Sequence, residues 1–75
     1  MDAIRAVPYR ALVRVFENDG FQYSRTAGDH LIYSKPGVLR PLVIPMYRAV
    51  PVSIIKGLLR TAGMSRERYL GLLGE

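Results

Sequence analysis

Residues 20–46 read GFQYSRTAGDHLIYSKPGVLRPLVIPM and hold three short hydrophobic runs separated by turn residues. We predict strands over Phe21–Arg25, His30–Lys35 and Pro41–Met46, because turn-forming residues bound each run. The segments between the runs are short, so the sequence predicts an antiparallel meander. Two prolines near the ends of the third run indicate an edge or briefly paired strand, since proline cannot donate a hydrogen bond to a sheet.

A helix is predicted on the N-terminal side of these strands, over Pro8–Asn18. Its start has no residue that could cap it through a side chain, although proline suits a first helical turn. Gly20 is expected to end the helix in the left-handed conformation. Three residues at helical spacing would form its buried stripe: Leu12, Val15 and Phe16.

Two further helices are predicted on the C-terminal side of the strands. Pro51 opens the first of them, which runs to about Thr61 or Ala62 and ends at Gly63. Ser65 caps the second, which continues through Leu73. The apolar stripe of the first is Val52, Ile55, Leu58, Leu59 and Ala62, with Lys56 and Arg60 on its other side; the second offers Tyr69, Leu70, Leu72 and Leu73 for packing.

The predicted order of elements is therefore α-β-β-β-α-α. A run of strands between helices favours an α+β fold in which a three-stranded antiparallel sheet carries the helices on one face. The length of 75 residues allows one domain, which we place over residues 1–75.

The composition excludes several kinds of functional site. The sequence has no cysteine and one histidine, which excludes disulfides, cysteine-ligated metals and a multi-histidine zinc site within one chain. The six acidic residues are scattered along the chain, so we expect no metal and no cofactor. No apolar run approaches the roughly 18 residues of a membrane span. We expect a soluble, cytoplasmic protein that does not bind membranes.

The charge is distributed unevenly. The net charge is +5, and no acidic residue occurs from His30 through Arg66. A one-sided positive charge of this kind favours a partner with a phosphate backbone, such as a nucleic acid; the alternative is a solvated surface that happens to be basic. The same stretch holds Lys35, Arg40, Arg48, Lys56, Arg60 and Arg66.

His30 is the strongest candidate for catalysis. It follows Gly28 and Asp29 at the start of a predicted strand, where rigid support and access to solvent coincide. Histidine is well suited to proton transfer near neutral pH, and on RNA it could activate a ribose 2′-hydroxyl without a metal. A surface histidine without a role is the alternative from composition alone.

Several other residues could take part in a site at His30. Asp29 could orient the imidazole or stabilise the turn, and we favour the turn. Tyr33 is expected on the opposite face of its strand, so it receives little catalytic weight. Tyr47 is a better candidate for contact with a base. Candidates for stabilising charge on phosphate are Arg25, Lys35 and Arg48.

Several short motifs occur in a familiar order. They are Gly20-Phe21, Arg25, Gly28-x-His30-x-x-Tyr33, Val43-Ile44-Pro45, Pro51 and Ile55-x-x-Leu58-x-x-x-Ala62-Gly63-Met64. Their order and spacing, over roughly Leu12 to Leu73, resemble the HicA/YcfA family of small toxins from bacterial and archaeal toxin–antitoxin pairs.

The resemblance implies a fold like that of double-stranded-RNA-binding domains and an activity of ribosome-independent mRNA cleavage. It places the family's recurrent catalytic histidine at His30 and implies a HicB-type antitoxin that covers the active site. The chain departs from the family pattern at Asp29, where serine is usual, at Leu31, where a second histidine is frequent, and over residues 46–50. A carboxylate at position 29 would repel an incoming phosphate.

Our leading hypothesis is a metal-independent endoribonuclease toxin of a type II toxin–antitoxin system, with His30 as general acid and base. The alternatives are a non-catalytic RNA-binding module and a decayed toxin that retains only antitoxin binding. Whether the chain forms a homo-oligomer stays open. The residues assigned to RNA binding are Arg25, Lys35, Arg48, Lys56 and Arg60, with Gly28 and Asp29 supporting the site.

Overall fold

The computed structural model describes residues 3–74. The order of elements is the predicted α-β-β-β-α-α, and the three strands form one antiparallel sheet in the order β1-β2-β3. The α+β prediction is therefore confirmed, and β3 is an edge strand as its prolines indicated. The elements are α1 Tyr9–Asn18, β1 Gln22–Ala27, β2 His30–Ser34, β3 Leu42–Pro45, α2 Val52–Ala62 and α3 Arg66–Leu73.

The first hairpin is tighter than predicted. Ala27 pairs with His30, so the turn contains only Gly28 and Asp29, and the prediction that β1 ends at Arg25 was wrong. Gly28 has φ +60°, as the first central residue of a type II′ turn requires. Phe21 does not begin the strand, because its amide donates to the carbonyl of Phe16 at 2.9 Å and closes the end of α1.

The predicted β2 extended one residue too far at its C-terminal end, and the predicted β3 extended one residue too far at both ends. Lys35 leaves the ladder because its carbonyl accepts a hydrogen bond from the Val38 amide at 3.1 Å, which starts the next turn. Pro41 has no amide proton to contribute. The amide of Met46 donates to the carbonyl of Asp29 at 2.9 Å, outside the β2–β3 ladder.

The helix ends follow the predicted signals. Gly20 has φ +99° after α1, and Gly63 has φ +66° after α2. The Ser65 hydroxyl accepts a hydrogen bond from the Arg68 amide at 3.1 Å and caps α3. Pro8 and Pro51 are extended and lie just before their helices rather than inside the first turn.

The core lies between the helices and one face of the sheet. Leu42 and Ile44 are fully buried, whereas Val43 between them is 45% exposed. Alternation and register therefore give the sheet a face covered by helices and a second face, which we call the open face. The helices contribute Leu12, Val15, Phe16, Ile55, Leu58, Leu59 and Tyr69 to the core.

Asp19 ties three elements together at the end of α1. Its carboxylate accepts from Arg68 Nε of α3 at 2.6 Å and from Lys35 Nζ at 3.2 Å. Burial acts to raise the pKa of Asp19, but the hydrogen bonds and charges of the two cations outweigh it and hold that pKa below its ordinary value. The two hydrogen bonds to Asp19 therefore hold the end of β2 and helix α3 against the end of α1.

Tyr33 gives the fold a dependence on alkaline pH. Its hydroxyl donates to Glu17 Oε2 at 2.9 Å. Burial, followed by the hydrogen bond to Glu17, raises the pKa of Tyr33 from 10.0 to about 12. The raised pKa stabilises the fold fully at pH values below the pKa of Tyr33 in the unfolded chain. This stabilisation is lost as the pH rises through the pKa of Tyr33 in the folded protein.

We therefore expect Tyr33→Phe to lower the free energy of unfolding by about 1 kcal/mol at neutral pH, the usual contribution of one hydrogen bond. The difference from wild type should shrink as pH rises from 10.0 to about 12, because ionised Tyr33 would face the Glu17 carboxylate. Urea unfolding of both proteins across this range measures the difference. A difference that stays constant with pH would contradict this account.

Candidate active site on the open face of the sheet

His30 is the first residue of β2 and follows the Gly28-Asp29 turn directly. Its Nδ1 lies 3.0 Å from Asp29 Oδ1, and the two side chains are 40% and 74% exposed. The Asp29 carboxylate lies beside Nδ1, and Nε2 is the other imidazole nitrogen that can carry or accept a proton. Among residues 3–74, no hydrogen bond to Nε2 occurs. The arrangement can accept and return a proton.

The sequence left open whether Asp29 belongs to the turn or lies against the imidazole, and the structure shows both arrangements. Its backbone forms the turn, and its carboxylate lies beside the imidazole. Its carbonyl accepts the Met46 amide at 2.9 Å, which fastens the turn to the segment after β3. Because of this bond the histidine has a fixed support despite lying beside a turn.

Arg25 shares the open face with His30. Ala27 pairs with His30 and Arg25 pairs with Ile32, so both arginine and histidine project to the same side of the sheet. Arg25 is exposed and forms no ion pair within residues 3–74. The register therefore brings one of the predicted phosphate-binding residues to the histidine's side.

Tyr33 lies on the opposite face, as strand alternation predicts. It pairs with Leu42 in the core, and its hydroxyl reaches Glu17 on α1. Its contacts stabilise the fold and place it away from the open face.

The segment after β3 carries two further predicted contacts. Tyr47 is 43% exposed, and its carbonyl accepts the Tyr9 amide at 3.1 Å. Arg48 lines a groove of about 470 Å³ together with Pro8, Tyr9, Arg10 and Met46. Sequence reasoning overlooked Tyr9 and Arg10, which lie before the acid-free stretch. A basic residue beside an aromatic one at the start of α1 was the available signal.

The remaining predicted contacts lie apart from His30. Lys35 is engaged with Asp19 and also lies 5.4 Å from the centre of the Phe21 ring. Lys56 lines a groove with Ala3, Ile4 and Arg66. Arg60 lines another with Leu39, Arg40 and Thr61. Neither groove contains a residue of the His30 turn.

Most carboxylates of the described region already have a hydrogen-bond or ion-pair partner. Glu17 accepts from Tyr33, Asp19 binds two cations, and Asp29 lies beside His30. Several exposed cations consequently have no carboxylate partner within residues 3–74, and a polyanion could bind them. They include Arg25, Arg40, Arg48, Lys56 and Arg60.

Within residues 3–74, no group of three or more His, Cys, Asp or Glu side chains is placed to hold a metal ion. None of the helices in that range has the length and apolar character needed to cross a membrane.

The chain was compared with known families and curated proteins. A family model described as the HicA toxin of bacterial toxin–antitoxin systems matches residues 9–64, which include α1, the whole sheet and α2. The comparison with curated proteins gives no match. The matched range is well over half of the 75 residues and contains the His30 turn. The chain therefore belongs to the HicA toxin family of bacterial toxin–antitoxin systems.

Proposed function

We propose that the chain is a metal-independent endoribonuclease that cleaves mRNA through His30, as the toxin of a type II toxin–antitoxin system. The observation that carries the proposal is the exposed His30–Asp29 pair on a backbone-anchored turn. Family membership and the unpaired cations around the domain support it.

The chemistry needs one group that takes up and returns a proton. His30 Nε2 removes the proton from a ribose 2′-hydroxyl, and the 2′-oxygen attacks the adjacent phosphorus. The bond from phosphorus to the 5′-oxygen breaks, and the imidazolium returns the proton to that oxygen. The products are a 2′,3′-cyclic phosphate and a 5′-hydroxyl. Asp29 stabilises the imidazolium that forms between the two transfers.

The cations have graded roles in this proposal. Arg25, on the face of His30, stabilises charge that develops on the phosphate in the transition state. Arg48, on the segment anchored to the Asp29 turn, binds the RNA backbone beside it. Lys56 and Arg60 bind RNA backbone farther from the reacting bond. Lys35 was predicted to bind phosphate, and we now assign it to supporting the fold through Asp19.

The family implies an antitoxin partner, and we propose that this partner is a HicB-like protein that covers the open face. Ile32 and the exposed Val43 give that face an apolar centre, and Arg25 adds a positive charge. An acidic protein with an apolar contact surface complements this arrangement.

Asp29→Ala separates the two effects of the carboxylate. We expect kcat for RNA cleavage to fall about tenfold, because His30 loses the group that favours its proton-accepting form. KM should stay the same or fall, since the substitution removes a negative charge beside the RNA. Steady-state cleavage of a labelled oligoribonucleotide measures both. An increase in kcat would show that repulsion outweighs orientation.

Expression in bacteria tests the proposed toxin directly. Induction of the wild-type chain should arrest growth and deplete mRNA, and His30→Ala at equal protein level should do neither. Coexpression of a small acidic protein encoded beside the chain should relieve the arrest. Equal arrest by both proteins would refute the role of His30. RNA binding without cleavage or arrest would instead favour a non-catalytic RNA-binding module.

A further inference from the structure

The groove beside the His30 turn is framed by two backbone segments. Val7 and Val50 form an antiparallel bridge, in which the Val50 amide donates to the Val7 carbonyl at 2.7 Å. The Tyr9 amide donates to the Tyr47 carbonyl at 3.1 Å. The N-terminal segment and the segment after β3 therefore hold each other in place, and the groove between them is already formed in the free protein.

The groove is also fixed relative to the catalytic turn. Met46 lines it, and the Met46 amide donates to the Asp29 carbonyl at 2.9 Å. Pro45, the preceding residue, pairs with His30 in the sheet. One residue of the groove is thus bonded directly to the turn that carries the histidine.

The lining combines positive charge with an apolar surface. Arg10 comes from α1 and Arg48 from the segment after β3, and neither has a carboxylate partner within residues 3–74. The Arg10 guanidinium lies 5.7 Å from the centre of the Tyr9 ring, which gives it a defined position. Tyr9, Pro8 and Met46 supply apolar surface.

We propose that this groove binds the nucleotide next to the scissile phosphate, an inference that rests on the proposed ribonuclease function. Arg10 and Arg48 bind the phosphate of that nucleotide, since guanidinium groups pair well with phosphate oxygens. The apolar lining receives its base, because nucleobases stack on flat apolar and aromatic surfaces. The groove would therefore position RNA and help select its sequence beside His30.

The test compares Arg10→Ala/Arg48→Ala with a matched control, Arg14→Ala/Arg66→Ala. All four arginines are exposed, and the control removes the same charge outside the groove. For cleavage of an oligoribonucleotide, the groove variant should raise KM about tenfold for each arginine while kcat changes little. The control should retain a KM close to that of wild type.

A second measurement makes the result independent of cleavage. In a His30→Ala background, RNA affinity is measured by fluorescence anisotropy at several salt concentrations. The groove variant should lower the slope of log affinity against log salt by about 0.7 for each lost phosphate contact. Matched thermal unfolding of the variants shows whether each remains folded.

The two failures are distinguishable. If the wild-type protein cleaves no RNA, the ribonuclease proposal fails, and the binding measurement still judges the groove. If the wild-type protein cleaves RNA but the groove variant matches the control in KM and in salt slope, the groove proposal is overturned. A large loss of kcat at unchanged KM would also overturn it, because the groove would then act on the chemistry and not on binding.

Discussion

Replacing His30 by alanine is expected to lower the rate of RNA cleavage by about 10²–10⁴-fold, the usual contribution of a general acid–base group. His30 is the only histidine in the chain, so no other imidazole could replace it. The side chain lies on the open face and is 40% exposed, so its removal should not disturb the core. The loss should appear in kcat, with little change in KM.

The measurement is initial-rate cleavage of a labelled single-stranded RNA by purified wild-type and variant proteins. Unfolding curves should show that the two differ in stability by only about 0.5 kcal/mol, as for a surface substitution. Tyr47→Phe is a useful control, because it removes the hydroxyl of an exposed ring that has no part in the proposed proton transfer. Undiminished cleavage by His30→Ala would remove His30 from the mechanism.

Phe16→Ala is expected to have the largest effect on stability. Phe16 is 0% exposed and packs edge to face on Phe21, with ring centres 5.7 Å apart. Truncation of a buried phenylalanine costs about 3–5 kcal/mol through lost burial and a cavity. A domain of this length has a total stability of about 4–11 kcal/mol, so a large share of it would be lost.

Thermal unfolding provides the measurement, since Tm should fall by about 4–8 °C for each kcal/mol in a domain of this size. Leu39→Ala is the matched control. Leu39 is apolar but 99% exposed, so its truncation should change stability by no more than about 0.5 kcal/mol. Similar Tm values for the two variants would show that the core does not depend on Phe16.

Much of the fold could be predicted because local signals coincide with its boundaries. Gly20 and Gly63 adopt the left-handed conformation where two helices end, and Ser65 caps the third. The errors came from bonds between distant residues. Phe21 looked like a strand residue, but its amide closes α1. The hairpin register, which extends β1 to Ala27, depends on pairing that composition does not specify.

The site was predictable in part for the same reason. His30 could be singled out because it is unique and follows a glycine-containing turn. Lys35 looked available until the structure placed its amino group on Asp19, a contact sixteen positions away in sequence. The groove at Tyr9 and Arg10 depends on the pairing of Val7 with Val50, which no local sequence pattern predicts.

The chemical identity of the cleaved RNA ends tests the central claim most directly. Purified wild-type protein should cleave single-stranded RNA in the presence of EDTA, because the proposed reaction uses His30 and the ribose 2′-hydroxyl. Mass spectrometry of the fragments should show 2′,3′-cyclic phosphates and 5′-hydroxyls, and RNA with a 2′-deoxy sugar at the cleavage position should resist. Fragments ending in 3′-hydroxyl and 5′-phosphate, or cleavage of the deoxy substrate, would contradict the account.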